Sequence, residues 1–147
     1  MIKFVKIDLK IKNKLSSLKL HEHQNNFVDL PPTSYQESKK FKNAYSRAIF
    51  NDDQLIGFII YETLNEKKDE FLIWDFMIDK NFQNKGYGEK AMKQLMDYLK
   101  ENFNCKRIEI AYEKSNTVVR KLYLGLGFIE TGHINDDDEY LMELVFN

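Results

Sequence analysis

Gln83-Asn84-Lys85-Gly86-Tyr87-Gly88 stands between an apolar run, Phe71 to Ile78, that reads as a strand and a run, Tyr87 to Phe103, that reads as an amphipathic helix. Glycines at 86 and 88 let the chain curl without a Cβ clash. The first turn of the following helix offers unpaired N–H donors and the positive end of its dipole. Consecutive N–H groups so arranged face an anion and suit a pyrophosphate. Taken alone, the same pattern also serves as a plain strand-to-helix turn. Two familiar phosphate loops are excluded. A dinucleotide fingerprint requires an acidic residue about 20 positions on, where Cys105-Lys106-Arg107 stands. A nucleoside triphosphate loop requires a hydroxyl after its lysine, and Gly88 is followed by Glu89-Lys90-Ala91.

Working outward, Met1 to Ile7 reads as a first strand and Asp8 to Leu20 as a helix with apolar residues at 9, 11, 15 and 18. His21 to Leu30 is a mixed segment ended by Pro31-Pro32, after which Ser34 and Glu37 resemble a capping box for a short helix reaching about Ala44. Tyr45 to Asn51 and Gln54 to Glu62 form a predicted hairpin, and Thr63 to Asp69 a polar loop. Beyond the long helix, Arg107 to Tyr112 alternates as a strand and Ser115-Asn116 opens a helix that Gly125-Leu126-Gly127 ends. Phe128 to His133 and Tyr140 to Phe146 close a last hairpin around the solvated turn Asp136 to Glu139. The expectation is one α+β domain over residues 1–147, with a β-α-β crossover from 71 to 112 after an antiparallel meander.

The 147 residues are 43% hydrophobic with a formal net charge of -1, which suits a domain with a real core and argues against disorder. Lysines and acids are interspersed, so no basic face points to nucleic acid. No apolar run reaches the roughly 18 to 20 residues of a membrane span, and the N-terminus lacks a signal-peptide pattern. The single cysteine, Cys105, reads as a packed residue, and its solitude makes a reducing cytoplasm the natural compartment. His21 and His23 lie far in sequence from His133, with no accompanying cluster, so no metal site is expected.

Gln83-x-x-Gly86-x-Gly88 resembles the acetyl-CoA loop of the GCN5-related N-acetyltransferase (GNAT) family, where Arg or Gln is followed at the same spacing by Gly and then Gly or Ala. Asn116, Leu122-Tyr123 and Gly127-Phe128 resemble that family's second signature, with a helix and a strand between the two motifs. Val119 departs from the usual alanine and adds bulk on the helix that would face the cofactor. Within the family the chain is most similar to diamine and polyamine acetyltransferases of the spermine/spermidine type, on Trp74 to Ile78 and on His23-Gln24 with Phe27-Val28.

The resemblance implies a GNAT fold, a mostly antiparallel twisted sheet flanked by helices and split at an acetyl-CoA cleft. Backbone groups of Phe76, Met77 and Ile78 would pair with the pantetheine arm as if it were a strand. Asn84, Lys85, Gly86, Tyr87 and Gly88 would hold the pyrophosphate, with Gln83 orienting or capping the loop. Asn116 is either a pantetheine contact or a plain N-cap. Tyr123 would assist thiolate departure, or is a core aromatic. Asp75 and Glu22 would attract the amine and accept its proton, or are solvated carboxylates; Trp74 is a candidate pocket wall. The implied reaction is acetyl transfer to a primary amine of a small molecule, polyamines first, by direct attack on the thioester. A protein N-terminus or amino acid is the alternative acceptor, and a non-catalytic acetyl-CoA-binding module the alternative class. Nucleic acid and membrane are not expected partners, and the family admits a homodimer.

Overall fold

The computed structural model describes residues 1–24 and 31–147, apart from the side chain of His23. His23, Phe27 and Val28, on which part of the polyamine-type resemblance drew, therefore fall outside the described side chains. Seven strands form one sheet: β1 (Ile2–Lys6), β2 (Ala44–Asn51), β3 (Gln54–Thr63), β4 (Glu70–Ile78), β5 (Arg107–Tyr112), β6 (Ile129–Ile134) and β7 (Tyr140–Val145). Their order is β1-β2-β3-β4-β5-β7-β6, antiparallel throughout except for the β4–β5 pair, which is parallel because a helical crossover joins them.

One irregularity in β4 shapes the rest. Ile60 pairs with Asp75 and Tyr61 with Ile73, so Trp74 is an extra residue on β4, a β-bulge. The bulge shifts the alternation: Phe71 and Ile73 pack on one face, and beyond Trp74 it is Phe76 and Ile78 that do so. It also bends β4 away from β5, whose pairing runs only from Glu70 opposite Arg107 to Ile73 opposite Ile110. Past that point the two strands diverge.

Helices α3 (Tyr87–Phe103) and α4 (Thr117–Gly125) cover one face, with Ala91, Met92, Leu95, Leu99 and Tyr123 buried against Ile59, Phe71 and Ile110. Helices α1 (Leu9–Lys14) and α2 (Pro31–Ser38) lie over the other face, where Leu15, Leu18 and Tyr35 pack on Phe58, Ile60 and Met77. Each fully buried apolar side chain contributes about 1.5–3 kcal/mol relative to exposure.

Three predicted boundaries change. The helix expected from Asp8 to Leu20 is only α1 plus a 3-10 turn, Leu15–Ser17, and Leu9 is exposed; Asp8 caps it by accepting the Ile11 N–H at 2.8 Å. The second helix begins at Pro31, a residue suited to a first turn, and ends at Ser38. Ser34 is therefore buried inside the helix, so the capping box is not formed, and the run to Ala44 is turn and strand because Ala44 pairs with Glu62. A 3-10 turn, Lys80–Phe82, capped by Asp79, precedes the glycine loop without having been foreseen.

Candidate active site

The divergence of β4 and β5 opens a cleft with a narrow and a wide part that share Phe76, Asn116 and Val119. The narrow part, about 270 Å³, runs between the end of β4 and the start of α4 and reaches the glycine loop. Gly86 is the N-cap of α3 at φ 86° and Asn84 is left-handed too, at φ 61°. The first helical hydrogen bond is Lys90 N–H to the Gly86 carbonyl at 3.1 Å, so the N–H groups of Tyr87, Gly88 and Glu89 precede the ladder. No side chain caps them from Gly86. Gly88 faces Phe76, Ile78 and Leu122 across the cleft, where a β-carbon would stand at 3.6–3.9 Å from all three.

The carbonyl of Met77 is directed at Gly57 on β3. By alternation the backbone groups of Phe76 and Ile78 turn the other way, into the cleft. Those of Phe76 are thus placed to pair with an extended ligand, while the Ile78 carbonyl accepts the Gln83 amide at 2.8 Å. Met77 instead contributes its side chain to the core beneath α1.

The wide part, about 940 Å³, lies where the sheet is open beside α2. Its walls carry Asp75, Glu37 and Glu62 on one side and Glu109, Glu113, Asp137 and Glu139 on the other, and no lysine or arginine among the described residues lining it. Glu62, Leu72 and Glu109 are direct neighbours across β3, β4 and β5. Two carboxylates therefore flank Leu72, about 10 Å apart at their strands. Burial raises the Glu62 pKa, a bond from Asn43 opposing it. Arg107 bonds Glu70 at 2.8 Å and Glu109 and Glu143 at 3.1 Å, one guanidinium for three carboxylates, so this end stays anionic.

Tyr123 lines the wide part, four residues along α4 from Val119, which both parts share, and is 3% exposed. Its placement follows from the end of α4. The Phe128 N–H bonds the Tyr123 carbonyl at 3.0 Å and the Gly127 N–H bonds the Leu124 carbonyl at 3.1 Å, a Schellman closure that needs Gly127 at φ 103°. Phe128 then packs its ring 5.9 Å from that of Tyr123, with Tyr112 edge-on at 6.4 Å. Burial first, then the charges of Asp75 and Glu139, push the Tyr123 phenol well above its ordinary pKa. It is a protonated hydrogen-bond donor throughout the neutral range.

The structure thus brings Asp75, Trp74 and Tyr123 to the wide part, Gln83, Asn84, Gly86, Gly88, Met77 and Ile78 to the narrow part, and Phe76 and Asn116 to both. Asp75 is 6% exposed, and Trp74 stands edge-on to Phe41 at 6.3 Å. Asn116 also caps α4 by accepting the Val119 N–H at 3.3 Å, so its cap role is real. Three candidates line neither part: Glu22 is exposed, Lys85 lies over the Phe82 ring, and the Tyr87 hydroxyl accepts a bond from Asn51 at 3.2 Å. Sequence reasoning missed Glu37, Glu62, Glu109 and Glu113, and read Asp137 and Glu139 only as a solvated turn. Strand alternation alone would have put Glu62 and Glu109 on sheet faces, but not together.

A sheet unzipped beside a glycine-capped helix, with a protonated tyrosine at the opening, defines an acyl-coenzyme A cleft of the acetyltransferase kind. The chain belongs to the acetyltransferase (GNAT) family, whose model matches residues 13–128. It is an N-acetyltransferase, and acetyl-CoA is its acetyl donor. Over 137 residues, 88% of this chain and 90% of the relative, it is 28% identical to a probable spermine N(1)-acetyltransferase of Bacillus subtilis subsp. natto (strain BEST195). Among solved structures it resembles a chimera of the spermidine N-acetyltransferase SpeG from Vibrio cholerae and hSSAT, at TM-score 0.75 and 15% identity over 98% of this chain and 94% of that one. It also resembles an aminoglycoside acetyltransferase in complex with coenzyme A and kanamycin, at TM-score 0.78 and 15% identity over 99% and 95%. Among the described residues no helix is long and apolar enough to cross a membrane.

Proposed function

We propose that the chain acts as one N-acetyltransferase domain that acetylates a primary amine of a small polycation, a polyamine such as spermidine or spermine. The acid-lined wide part carries this reading, because a cleft edged by carboxylates on several elements, with no lysine or arginine among the described residues lining it, concentrates polycations and repels anions. The likeness to a protein named as a spermine acetyltransferase supports it.

Acetyl-CoA, when bound, supplies the activated acetyl group. On this reading the N–H groups of Tyr87 to Glu89 hold its pyrophosphate, and the backbone of Phe76 orients its pantetheine arm. A primary amine arrives protonated, its pKa being near 10.4, and must lose a proton before it attacks. Asp75 attracts the cation and accepts that proton, directly or through water. Tyr123, held protonated, donates its hydrogen bond to the sulfur as charge develops there. The far ammonium groups rest between Glu62 and Glu109. Glu109 and Ala111 share a strand face two residues apart, about 6.6–6.8 Å, close to the reach of a three- or four-carbon spacer.

Coenzyme A release measured across spermine, spermidine, putrescine, butylamine and alanine-initiated peptides tests the reading. Turnover that favours the polycations, and that Tyr123→Phe reduces, supports it. Turnover of peptides alone would reassign the acceptor to a protein N-terminus.

A further inference from the structure

Residues 18–24 run beside residues 78–83. Lys19 joins them twice: its N–H donates to the Asp79 carboxylate at 2.7 Å, and its carbonyl accepts the Lys80 N–H at 2.7 Å. The side chains join them twice more. The Gln24 amide donates to the Gln83 carbonyl oxygen at 3.1 Å, and the Gln83 amide donates back to Gln24 Oε1 at 3.0 Å. That same Gln83 nitrogen bonds the Ile78 carbonyl at 2.8 Å, and Gln24 Oε1 also accepts the His21 N–H at 3.1 Å. Leu20 and Gln24 consequently form a wall of the narrow part of the cleft, facing Asn84 and Gly86.

The loop that follows Gln83 has little to hold it from within. Asn84 and Gly86 are both left-handed, both are exposed, and Gly86 contributes no side-chain cap. A loop that must present N–H groups to an anion binds more tightly when that geometry exists before the anion arrives. We propose that Gln24 is a positioning residue for acetyl-CoA: the reciprocal Gln24–Gln83 amide pair is a latch that fixes the start of the pyrophosphate loop from outside the loop's own motif. Gln83 acts through its two bonds and Gln24 acts only through Gln83. This rests on the assignment of Asn84 to Gly88 to the pyrophosphate.

Gln24→Met keeps the length of the side chain and removes its hydrogen bonds. It should raise the KM for acetyl-CoA, and the Kd for coenzyme A by calorimetry, about tenfold, while kcat and the amine KM stay near wild type. Gln83→Met should cost more, because the bond to Ile78 goes as well. The double variant should bind no more weakly than Gln83→Met alone, since a latch is broken only once. Gln24→Glu keeps the accepting oxygens and loses one donor, so it should fall between wild type and Gln24→Met. A wild-type Kd in Gln24→Met, or single effects that multiply in the double variant, would overturn the latch. Gly88→Asp, which sets a carboxylate in the narrow part beside Phe76, Ile78 and Leu122, one residue into the helix that would hold the pyrophosphate, tests the underlying assignment separately. If it binds coenzyme A normally, the loop assignment and the latch fall together; if it loses binding while Gln24→Met does not, only the latch falls.

Discussion

The narrow and wide parts of the cleft recognise their ligands by opposite means. The narrow part is defined by backbone: N–H groups at the start of α3, the exposed edge of β4 at Phe76, and apolar walls from Leu20, Val118 and Leu122. The wide part is defined by side chains, above all carboxylates reaching in from α2, β3, β4, β5 and the β6–β7 turn. A backbone cradle suits a ligand that never varies, since it can be altered only by moving the chain. A side-chain lining suits a ligand that differs between relatives, since one substitution changes charge or reach and leaves the fold intact. On the proposed reading the donor half is thus fixed by geometry and the acceptor half tuned by chemistry.

The sharpest way to break this division is at Tyr123, where Tyr123→Phe keeps the packing against Phe128 and removes the phenol proposed to donate a hydrogen bond to the sulfur. It should lower kcat by about 10²-fold with both KM values little changed, as steady-state kinetics would register. On the wide side, Glu109→Gln should raise the KM for spermidine about tenfold and leave that for butylamine unchanged; an equal rise for both amines would place the carboxylate elsewhere in the mechanism. Glu62→Gln should do the same while raising Tm slightly. Burial holds the Glu62 pKa up, so whatever its neutral form contributes is present in acid and lost as pH rises through that pKa, leaving a penalty at neutral pH that glutamine removes. On the narrow side, Gly57→Ala would drive a β-carbon into the Met77 carbonyl behind the cofactor edge of β4. It should cost about 1–3 kcal/mol in denaturant unfolding and weaken coenzyme A binding more than amine binding.

The smallest effect separates the halves by pH. Because the Tyr123 phenol is raised above its ordinary value, kcat/KM should climb from pH 7 to pH 9 as the amine loses its proton, with no falling limb from tyrosine ionisation in that range. The fold itself gives way later. Burial raises Cys105 to about 11 and Tyr61 and Tyr112 to about 12, so the unfolded chain sheds those protons first. Stability should be full below about pH 9 and decline toward pH 12, with Cys105→Ala delaying the onset by about one pH unit in a thermal melt series.

The same contrast explains what could be read from the chain. The β4–turn–α3 unit was legible because its left-handed turn calls for glycine at 86 and a helix follows from Tyr87, where the structure starts it; Gly88 is not left-handed, and a β-carbon there would meet only ordinary contacts. Asn116, Tyr123 and Gly127 were legible because a cap, a buried aromatic two residues before the helix ends and a left-handed closure must occur in that order. The acceptor carboxylates were not, since each is an ordinary strand or turn acid until β3, β4 and β5 set Glu62 beside Leu72 and Glu109. Glu22 misled for the converse reason: an acid near the first helix suggested a substrate contact, and only the path of residues 18–24 along residues 78–83 shows that this segment walls the donor side. The helix after Pro31 was misplaced because Ser34 and Glu37 match a capping box in spacing, whereas proline had already begun the first turn.

The extra residue at Trp74 has a consequence for the protein's life between turnovers. By prising β4 from β5 it leaves an interior seam, two strand borders whose hydrogen-bonding groups have no neighbouring strand, and such borders invite exchange with solvent and pairing with foreign strands. On the proposed reading coenzyme A or acetyl-CoA would close that seam, and at a hundredfold excess over its Kd it would add about 2.7 kcal/mol to the folded state. On that reading the donor is also a chaperone for its own enzyme: the amide protons of Phe76 and Ile78, which turn away from β3, should exchange slowly in the loaded protein and quickly in the empty one, as hydrogen exchange would register.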